Sequence, residues 1–259
     1  MKTASGHDAP FLLHMAIDRT SHPSPAEYPW CLPVVRHLRT IPFHPGVTYI
    51  IGENGSGKST LLEALAIAMG LNAEGGSRNM RFQTAATHSA LHQHLRVAKG
   101  VRRPRTSYFL RAESYYNVAS YLNALDGEFS FGPPTKESYG GTGLHAMSHG
   151  ESFLALLMHR FGPDGLYILD EPEAALSPTS QMAMLTRMHD LVRAGSQFVI
   201  ATHSPLVLAY PDADIWQVSD RGLKKVQYEE TSHVCITRRF LDKRDEVLRE
   251  LLGTEGSEI

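Results

Sequence analysis

One glycine-rich run constrains this chain more than any other feature. Residues 52–59 read Gly-Glu-Asn-Gly-Ser-Gly-Lys-Ser and match the pattern G-x-x-x-x-G-K-[ST] at every position. The β-rich run Val47–Ile51 precedes them, and a helical spacing of apolar residues over 58–69 follows. Glycines let the backbone of such a turn wrap closely around an anion, and a helix N-terminus adds partial positive charge. The pattern therefore predicts a strand–loop–helix unit that holds phosphate groups.

The end of this run carries the residues that would contact phosphate and metal directly. Lys58 would reach the β- and γ-phosphates of ATP, and the hydroxyl of Ser59 would bind Mg²⁺. An ordinary glycine-rich turn is the alternative, but the motif and its flanking elements together favour a phosphate loop. The residues predicted to bind ATP and Mg²⁺ here are Gly52, Glu53, Asn54, Gly55, Ser56, Gly57, Lys58, Ser59 and Thr60.

A second segment places two carboxylates after an apolar strand. Residues 166–172 read Leu-Tyr-Ile-Leu-Asp-Glu-Pro, so the predicted strand ends at Asp170 and Glu171, and Pro172 stops it. At the carboxyl end of a parallel strand, such groups face the ligand crevice. We expect Asp170 to hold Mg²⁺ and Glu171 to orient and polarise the attacking water. A strand that happens to end in an acidic turn is the alternative.

A third segment begins a helix that we predict over residues 148–160. Ser148 and Glu151 have the spacing of a capping box, in which each side chain binds a backbone N–H at the helix start. A helix N-terminus that contains Ser148 and Gly150 also makes a site for an anion. The two interpretations are compatible.

The order of these segments carries a family resemblance. The phosphate loop is followed by the Ser-x-Gly-Glu helix start, the Leu-Asp-Glu-Pro strand end, an Ala-Leu-Ser-Pro turn and then Thr-His-Ser. This order resembles the ABC-type P-loop ATPases and, more narrowly, the soluble AAA/ABC-like ATPases of bacteria. The resemblance implies that ATP is hydrolysed by a head-to-tail homodimer that encloses two ATP–Mg²⁺ molecules.

The resemblance also implies roles for residues outside the phosphate loop. Ser148, Gly150 and Glu151 would complete the site of the partner subunit, and residues 174–177 would cross the dimer interface as the D-loop. His203 would be the switch histidine that contacts the γ-phosphate, although a lone histidine after a strand is more often a packed or exposed side chain. The predicted catalytic residues are Glu171, His203 and Lys58.

Some positions depart from the family pattern. His149 stands where transporter signatures usually carry Gly, and Glu151 stands where they usually carry Gln; Glu is commoner there among chromosome-maintenance and break-repair ATPases. Glu113 is the positional candidate for the Q-loop glutamine, with a solvated loop carboxylate as an equal alternative. Tyr28 and Trp30 are candidates for stacking on adenine, but core packing is the favoured use of each.

Strands that alternate with helices predict the fold class, which is α/β with a mainly parallel sheet flanked by helices. The resemblance adds an antiparallel β part and a small helical subdomain at about residues 114–160. We expect one ABC-type ATPase domain over residues 1–259. A loose tail is expected at residues 1–10, and a C-terminal helical tail at 232–259, of which residues 232–252 are amphipathic and helical.

Composition excludes several classes of protein. The 25 Lys and Arg against 27 Asp and Glu leave a net charge of −2, which gives no reason to expect general DNA coating. No run approaches the roughly 18–20 apolar residues of a membrane span, and the N-terminus lacks the apolar stretch of a signal peptide. Cys31 and Cys235 have no metal-binding spacing, which favours a reducing compartment and roles as small apolar residues. We expect a cytoplasmic protein without direct membrane insertion.

Two local patterns leave alternatives open. His88 and His92 share one face of a helix predicted over residues 87–97 and could chelate a metal, but a polar helix face is favoured. A basic cluster beside Tyr108 and Phe109 could bind nucleic acid phosphate, dock a protein partner or remain solvated, and the last is favoured. This cluster consists of Arg96, Lys99, Arg102, Arg103, Arg105 and Arg111.

We interpret the chain as an ATP-driven switch that acts on an unknown effector protein. The length leaves no room for a coiled-coil arm or an appended nuclease domain, so we expect the output of the ATP cycle to lie outside this chain. The alternatives are the ATP-binding subunit of an ABC transporter with a separate permease, a nucleic-acid-linked repair or defence ATPase, and a scaffold that binds ATP without hydrolysing it.

Overall fold

The computed structural model describes residues 9–20, 24–73, 75–77, 89–111 and 149–253. The expectations for His88, Glu113 and Ser148 lie outside these residues. Most of the predicted helical subdomain, at residues 114–148, lies outside them too.

The large sheet has its parallel strands at the centre. In the described part of the chain it contains seven strands in the order β10-β9-β3-β8-β7-β6-β4. The five strands from β9 to β6 run parallel, and β10 and β4 pair antiparallel at the two edges. The predicted mainly parallel α/β fold is therefore confirmed. The strands are β3 (Val47–Ile51), β4 (Gly76–Ser77), β6 (Thr106–Arg111), β7 (Gly165–Asp170), β8 (Gln197–Ala201), β9 (Ala213–Ser219) and β10 (Gly222–Val226).

A small antiparallel sheet packs beside the large one. It consists of β1 (Leu12–Ile17), β2 (Thr40–Pro42) and β5 (Leu95–Lys99), with β1 in the middle. The side chain of Gln197, at the start of β8, accepts hydrogen bonds from the N–H groups of Phe11 and Leu12 at 2.9 and 2.8 Å. This buried amide joins the two sheets, and the expected antiparallel β part is present.

The helix predicted over residues 87–97 is wrong in its second half. A 3-10 helix covers only Ala90–His94, and β5 begins at the next residue. Leu95 and Val97 pair with Ile17 and Met15 of β1 in an antiparallel ladder. Tertiary strand pairing has overridden the local helical spacing, so His92 lies on a 3-10 helix and not on the polar face of the longer helix that we predicted.

The helices lie on both faces of the large sheet. The described helices are α1 (Pro33–His37), α2 (Lys58–Ala68), α3 (His149–His159), α4 (Pro178–Arg193), α5 (Pro205–Leu208), α6 (Ser232–Asp242) and α7 (Arg244–Leu252). The segment predicted as helical over residues 232–252 consists of two helices, because the backbone leaves the helical region at Lys243 and separates α6 from α7. A helix both long enough and apolar enough to cross a bilayer does not occur among the described residues.

Alternate residues of the central strands enter two separate cores. Tyr49, Tyr167 and Phe198 face the side covered by α3 and α4. Ile50 and Ile168 face the other side, which α2 and the small sheet cover. Because both faces of the sheet are buried, the ends of its strands are left as the positions where polar residues can meet a ligand.

Candidate active site

The carboxyl ends of three adjacent central strands bring the predicted site residues together. Strand β8 pairs in parallel with β3 on one side and with β7 on the other. Their register places Ile50, Ala201 and Asp170 side by side. The chain segments that leave these strands are the glycine-rich loop, the turn to His203 and the acidic turn at Glu171. The structure therefore brings together segments that are far apart in the sequence.

Glycine is required in the glycine-rich loop, residues 52–59, for two different reasons. Gly55 and Gly57 have φ angles of +77° and +92°, in the left-handed region that other residues seldom adopt. A Cβ atom at Gly57 would also lie 2.8 Å from Cγ1 of Val34, whereas one at Gly55 would meet no atom within 4 Å. Val34 N–H donates to the Ser56 carbonyl at 3.0 Å, so helix α1 braces the loop from outside.

Lys58 is buried against the carbonyl oxygens of the glycine-rich loop. Its Nζ donates to the carbonyls of Gly52 at 2.8 Å and Glu53 at 3.1 Å, and the residue is only 4% exposed. Burial lowers the pKa of Lys58, while the nearby carboxylates, above all Glu171 and Asp170, act to raise it. The ammonium is thus held at the loop by partners that an incoming phosphate could replace.

Ser59 and Asp170 bring a hydroxyl oxygen and a carboxylate oxygen together. The Ser59 hydroxyl donates to Oδ1 of Asp170 at 3.1 Å, and Asp170 is 5% exposed at the end of β7. Hydroxyl and carboxylate oxygens suit Mg²⁺, which keeps several water or phosphate oxygens as its remaining ligands. The residues present therefore fit the predicted metal.

Arg111 is a site residue that the sequence analysis assigned elsewhere. The register of β6 and β7 places it directly opposite Asp170. Its Nε lies 3.6 Å from Oδ2 of Asp170, and its Nη1 donates to Oε2 of Glu63 at 2.9 Å. The sequence pattern groups Arg111 with a basic cluster, whereas the strand register places its charge between the carboxylates of Asp170 and Glu63.

Glu171 and His203 meet across the ends of β7 and β8. Oε1 of Glu171 lies 3.5 Å from Nε2 of His203. Glu171 has a φ of +52°, and its N–H donates to the Ala201 carbonyl at 2.9 Å, which fixes the turn after the strand. The His203 N–H donates to Oε1 of Glu173 at 2.6 Å. Glu173 was not predicted, although its place two residues after Glu171 in the same acidic turn could have suggested it.

His233 is the second histidine of the site and was also missed. It lies in the first turn of α6, and its Nε2 is 3.1 Å from Nδ1 of His203. Burial lowers the pKa of His233, and the neighbouring His203 lowers it further. No motif surrounds His233 in the sequence. A cleft of about 330 Å³ lies close by, lined by residues that include Gly52, Glu53 and Ser232.

The segment at residues 174–177 is tied to the His203 turn. Gln181 donates to the Leu176 carbonyl at 3.1 Å and accepts from the Ser204 hydroxyl at 2.6 Å. A Cβ atom at Gly150 would lie 2.5 Å from the Ala175 carbonyl oxygen, so the start of α3 approaches this segment closely. Gly150 and the predicted D-loop are therefore neighbours within one chain. Glu151 follows Gly150 in the first turn of α3 and is exposed.

The two aromatic candidates have different environments. Trp30 is 6% exposed and packs edge-on against His94 with ring centroids 4.9 Å apart, so the packing interpretation is correct for it. Tyr28 is 62% exposed, and its hydroxyl lies 3.2 Å from Oγ1 of Thr60 at the start of α2. Core packing was the wrong interpretation for Tyr28.

The structure bears on two predictions about surface residues. In the basic cluster, Arg96 forms an ion pair with Asp18, and Arg102 forms one with Asp164. Pairing reduces the positive charge that these side chains present to a polyanion. Cys31 and Cys235 are both exposed, so the interpretation as small apolar residues is wrong for each.

Comparison with known proteins agrees with this geometry. Two family models match the chain: "AAA domain" at residues 33–128, and "AAA domain, putative AbiEii toxin, Type IV TA system" at residues 137–209. The first match contains the glycine-rich loop, and the second contains Asp170, Glu171 and His203. The glycine-rich loop and the residues from Asp170 to His203 therefore fall within models of the same domain type, and His233 lies beyond both matches.

Curated relatives match only in part of their length. The ABC transporter G family member STR2 of Medicago truncatula is 28% identical over 175 residues, which are 61% of this chain and 24% of that protein. The brefeldin A resistance protein of Schizosaccharomyces pombe is 25% identical over 206 residues, which are 71% of this chain and 13% of that protein. The chain thus spans a quarter or less of the length of these relatives.

Solved structures of similar architecture include two bacterial proteins. CbiO1 of Clostridium perfringens, described as part of the ABC transporter complex cbiONQ, has 17% identity and a TM-score of 0.49, covering 93% of this chain and 99% of that one. The SMC head domain of Thermotoga maritima has 16% identity and a TM-score of 0.41, covering 83% of this chain and 98% of that one.

Proposed function

Because the chain belongs to the AAA/ABC-type P-loop ATPases, we propose that it binds ATP with Mg²⁺ and hydrolyses it to ADP and phosphate. The observation that carries the proposal is that two pairs of side chains meet at the carboxyl ends of the central strands. These pairs are Ser59 with Asp170 at 3.1 Å and Glu171 with His203 at 3.5 Å. One pair offers oxygen atoms to a metal ion, and the other places a carboxylate beside an imidazole nitrogen.

The residues of the chain divide the work between binding and turnover. Lys58 exchanges the carbonyls of Gly52 and Glu53 for phosphate oxygens, and Ser59 and Asp170 hold Mg²⁺. Bound Mg²⁺ neutralises charge on the phosphates. Glu171 orients a water for in-line attack on the γ-phosphorus and accepts its proton as the new P–O bond forms and the bond to ADP breaks. His203 donates a hydrogen bond to the transferred group.

We further propose that two copies of the chain enclose two ATP molecules head to tail. Gly150 and Glu151, with the predicted Ser148, would supply a helix N-terminus to the nucleotide held by the partner. Supporting this idea, Gly150 lies against Ala175 and hence beside the segment tied to the His203 turn. A contact made by the partner at Gly150 could in this way reach His203.

The substitution Glu171→Gln tests the proposed function. It removes the base but keeps the shape, so phosphate release should fall by about 10²–10⁴-fold while ATP binding remains. ATP should then drive the variant into a dimer that light scattering detects. Asp190→Asn, an exposed acid on α4, is the matched control and should behave as wild type. If Glu171→Gln released phosphate at the wild-type rate, Glu171 would not be the general base.

A second candidate function is the ATP-binding subunit of a transporter whose permease is a separate chain. The match to a transporter of the G family over 175 residues favours this candidate. Glu171→Gln protein purified with ATP should then retain a membrane protein. Stimulation of the wild-type ATPase by DNA or RNA, with steep salt dependence, would instead favour a nucleic-acid-linked role.

A further inference from the structure

His233 has a position that none of the predicted roles explains. It belongs to the C-terminal helix α6, yet its ring lies against the ring of His203 with centroids 5.2 Å apart and planes at 59°. The closest atoms are Nε2 of His233 and Nδ1 of His203, at 3.1 Å. One ring must therefore donate to the other.

The chemistry of a neutral imidazole fixes which ring donates when His203 acts on the nucleotide. Such a ring has one N–H donor and one acceptor nitrogen. Nε2 of His203 faces Glu171 and must carry the proton to serve as a donor there. Nδ1 of His203 is then an acceptor, and His233 supplies the hydrogen bond through its Nε2–H. The second histidine thus selects the tautomer of the first.

His233 is held firmly enough to do this. Thr231 caps the start of α6 by accepting from Val234 N–H at 3.4 Å, and Val234 is buried beneath the helix. Just before α6, the Tyr228 hydroxyl donates to the Pro205 carbonyl at 3.1 Å, two residues after His203. The backbone that carries His233 is thereby attached to the turn that carries His203.

The surroundings of His233 favour its neutral form. Burial lowers the pKa of His233, and the proximity of His203 adds to this effect. Two charged imidazolium rings in contact would repel each other. A neutral His233 with its proton on Nε2 can make the hydrogen bond that His203 needs.

We propose that His233 is a positioning residue: it orients the His203 ring and fixes its tautomer so that Nε2–H points toward Glu171 and the nucleotide. The inference rests on the proposed ATPase function. Because His233 belongs to α6, the same contact connects the C-terminal helices to the site.

Steady-state kinetics on three variants test the proposal. His233→Phe keeps a ring but removes the hydrogen bond, so kcat should fall by about tenfold, with KM for ATP changed by less than about twofold. His233→Gln can place an amide N–H near the former Nε2 and should recover kcat to within about threefold of wild type. Thr237→Ala, on an exposed position of the same helix, is the control and should match wild type.

A double-mutant cycle with His203→Ala separates positioning from a general loss of structure. If His233 acts only through His203, then His203→Ala with His233→Phe should be no slower than His203→Ala alone. If the two substitutions together lowered kcat by the product of their separate effects, His233 would act by another route, and the proposal would be overturned. ¹⁵N NMR of the wild-type histidines gives a readout that needs no variant: His203 should be protonated at Nε2, and protonation at Nδ1 overturns the proposal.

The outcomes distinguish this inference from the proposed function. If wild type and Thr237→Ala both fail to release phosphate, the ATPase proposal is overturned and the positioning role with it. If wild type is active and His233→Phe has the same kcat, the positioning role alone is overturned.

Discussion

The two sides of the site are built in different ways. The glycine-rich loop is one continuous stretch, shaped by its own glycines and braced by the Val34 N–H bond to Ser56. The opposite side, which we call the histidine rim, consists of Glu171, Glu173, His203 and His233 and comes from three separate segments. Local backbone geometry is enough to form the loop. The histidine rim exists only when β7, β8 and α6 are all in place.

This difference divides binding from turnover. Residues of the glycine-rich loop should determine whether ATP is held, because they contact the phosphates throughout the cycle. Residues of the histidine rim should determine how fast ATP is cleaved, because their contacts matter most when charge moves at the γ-phosphate. Substitutions on the two sides should therefore separate the dissociation constant for ATP from kcat.

The largest expected effect on binding is that of Lys58→Ala. Removing the buried ammonium takes away charge-assisted hydrogen bonds to phosphate, and the Kd for ATP should rise about 100-fold. Titration with a fluorescent ATP analogue measures this change. Lys224→Ala, an exposed lysine on β10, serves as the control and should bind ATP as wild type does. If Lys58→Ala bound ATP as tightly as wild type, the glycine-rich loop would not determine ATP binding, and the proposed separation of binding from turnover would be wrong.

The complementary effect is expected from His203→Ala on the histidine rim. Single-turnover hydrolysis should slow by about 10–100-fold, because one hydrogen bond to the developing charge is lost. The Kd for ATP should stay within about threefold of wild type, since the glycine-rich loop is intact. A variant that loses ATP binding in proportion to its rate would show that the two sides are not separable.

The same difference explains what the sequence could predict. The glycine-rich loop and its flanking strand and helix follow one local pattern, and the structure has β3 and α2 where the pattern places them. The turn at Asp170 and Glu171 was predictable for the same reason, since an apolar strand and a proline bound it. These features depend on neighbouring residues along the chain.

The features that were missed depend on contacts across the fold. Arg111 faces Asp170 because of the register between two strands, and His233 reaches His203 because α6 packs beside α5. Residues 95–97 form a strand in place of the predicted helix because β1 pairs with them. One sequence contains no signal for register or helix packing, so the histidine rim could be predicted only in part.

Stability measurements compare two glycines of the same loop. Gly57→Ala should lower the free energy of unfolding by about 2–3 kcal/mol, because it combines left-handed strain with a Cβ at 2.8 Å from Val34. Gly55→Ala, with a similar φ but open space around it, should cost only about 1–2 kcal/mol. Urea unfolding measures both. Equal losses would mean that α1 does not restrain the loop as the structure shows.

The smallest expected effect concerns the nucleoside end of the ligand. Thr60 lies at the start of α2, where the N–H groups that hold the α-phosphate are found, so the nucleoside should leave the loop close to the exposed ring of Tyr28. Tyr28→Ala should weaken ATP binding about three- to tenfold, because stacking on the base is lost. Tyr28→Phe should bind ATP as wild type does, because the ring and not the hydroxyl contacts the base. Inorganic triphosphate, which has no base, should bind all three proteins alike. If Tyr28→Ala weakened triphosphate binding as much as ATP binding, the residue would act by holding Thr60 and would belong to the glycine-rich loop.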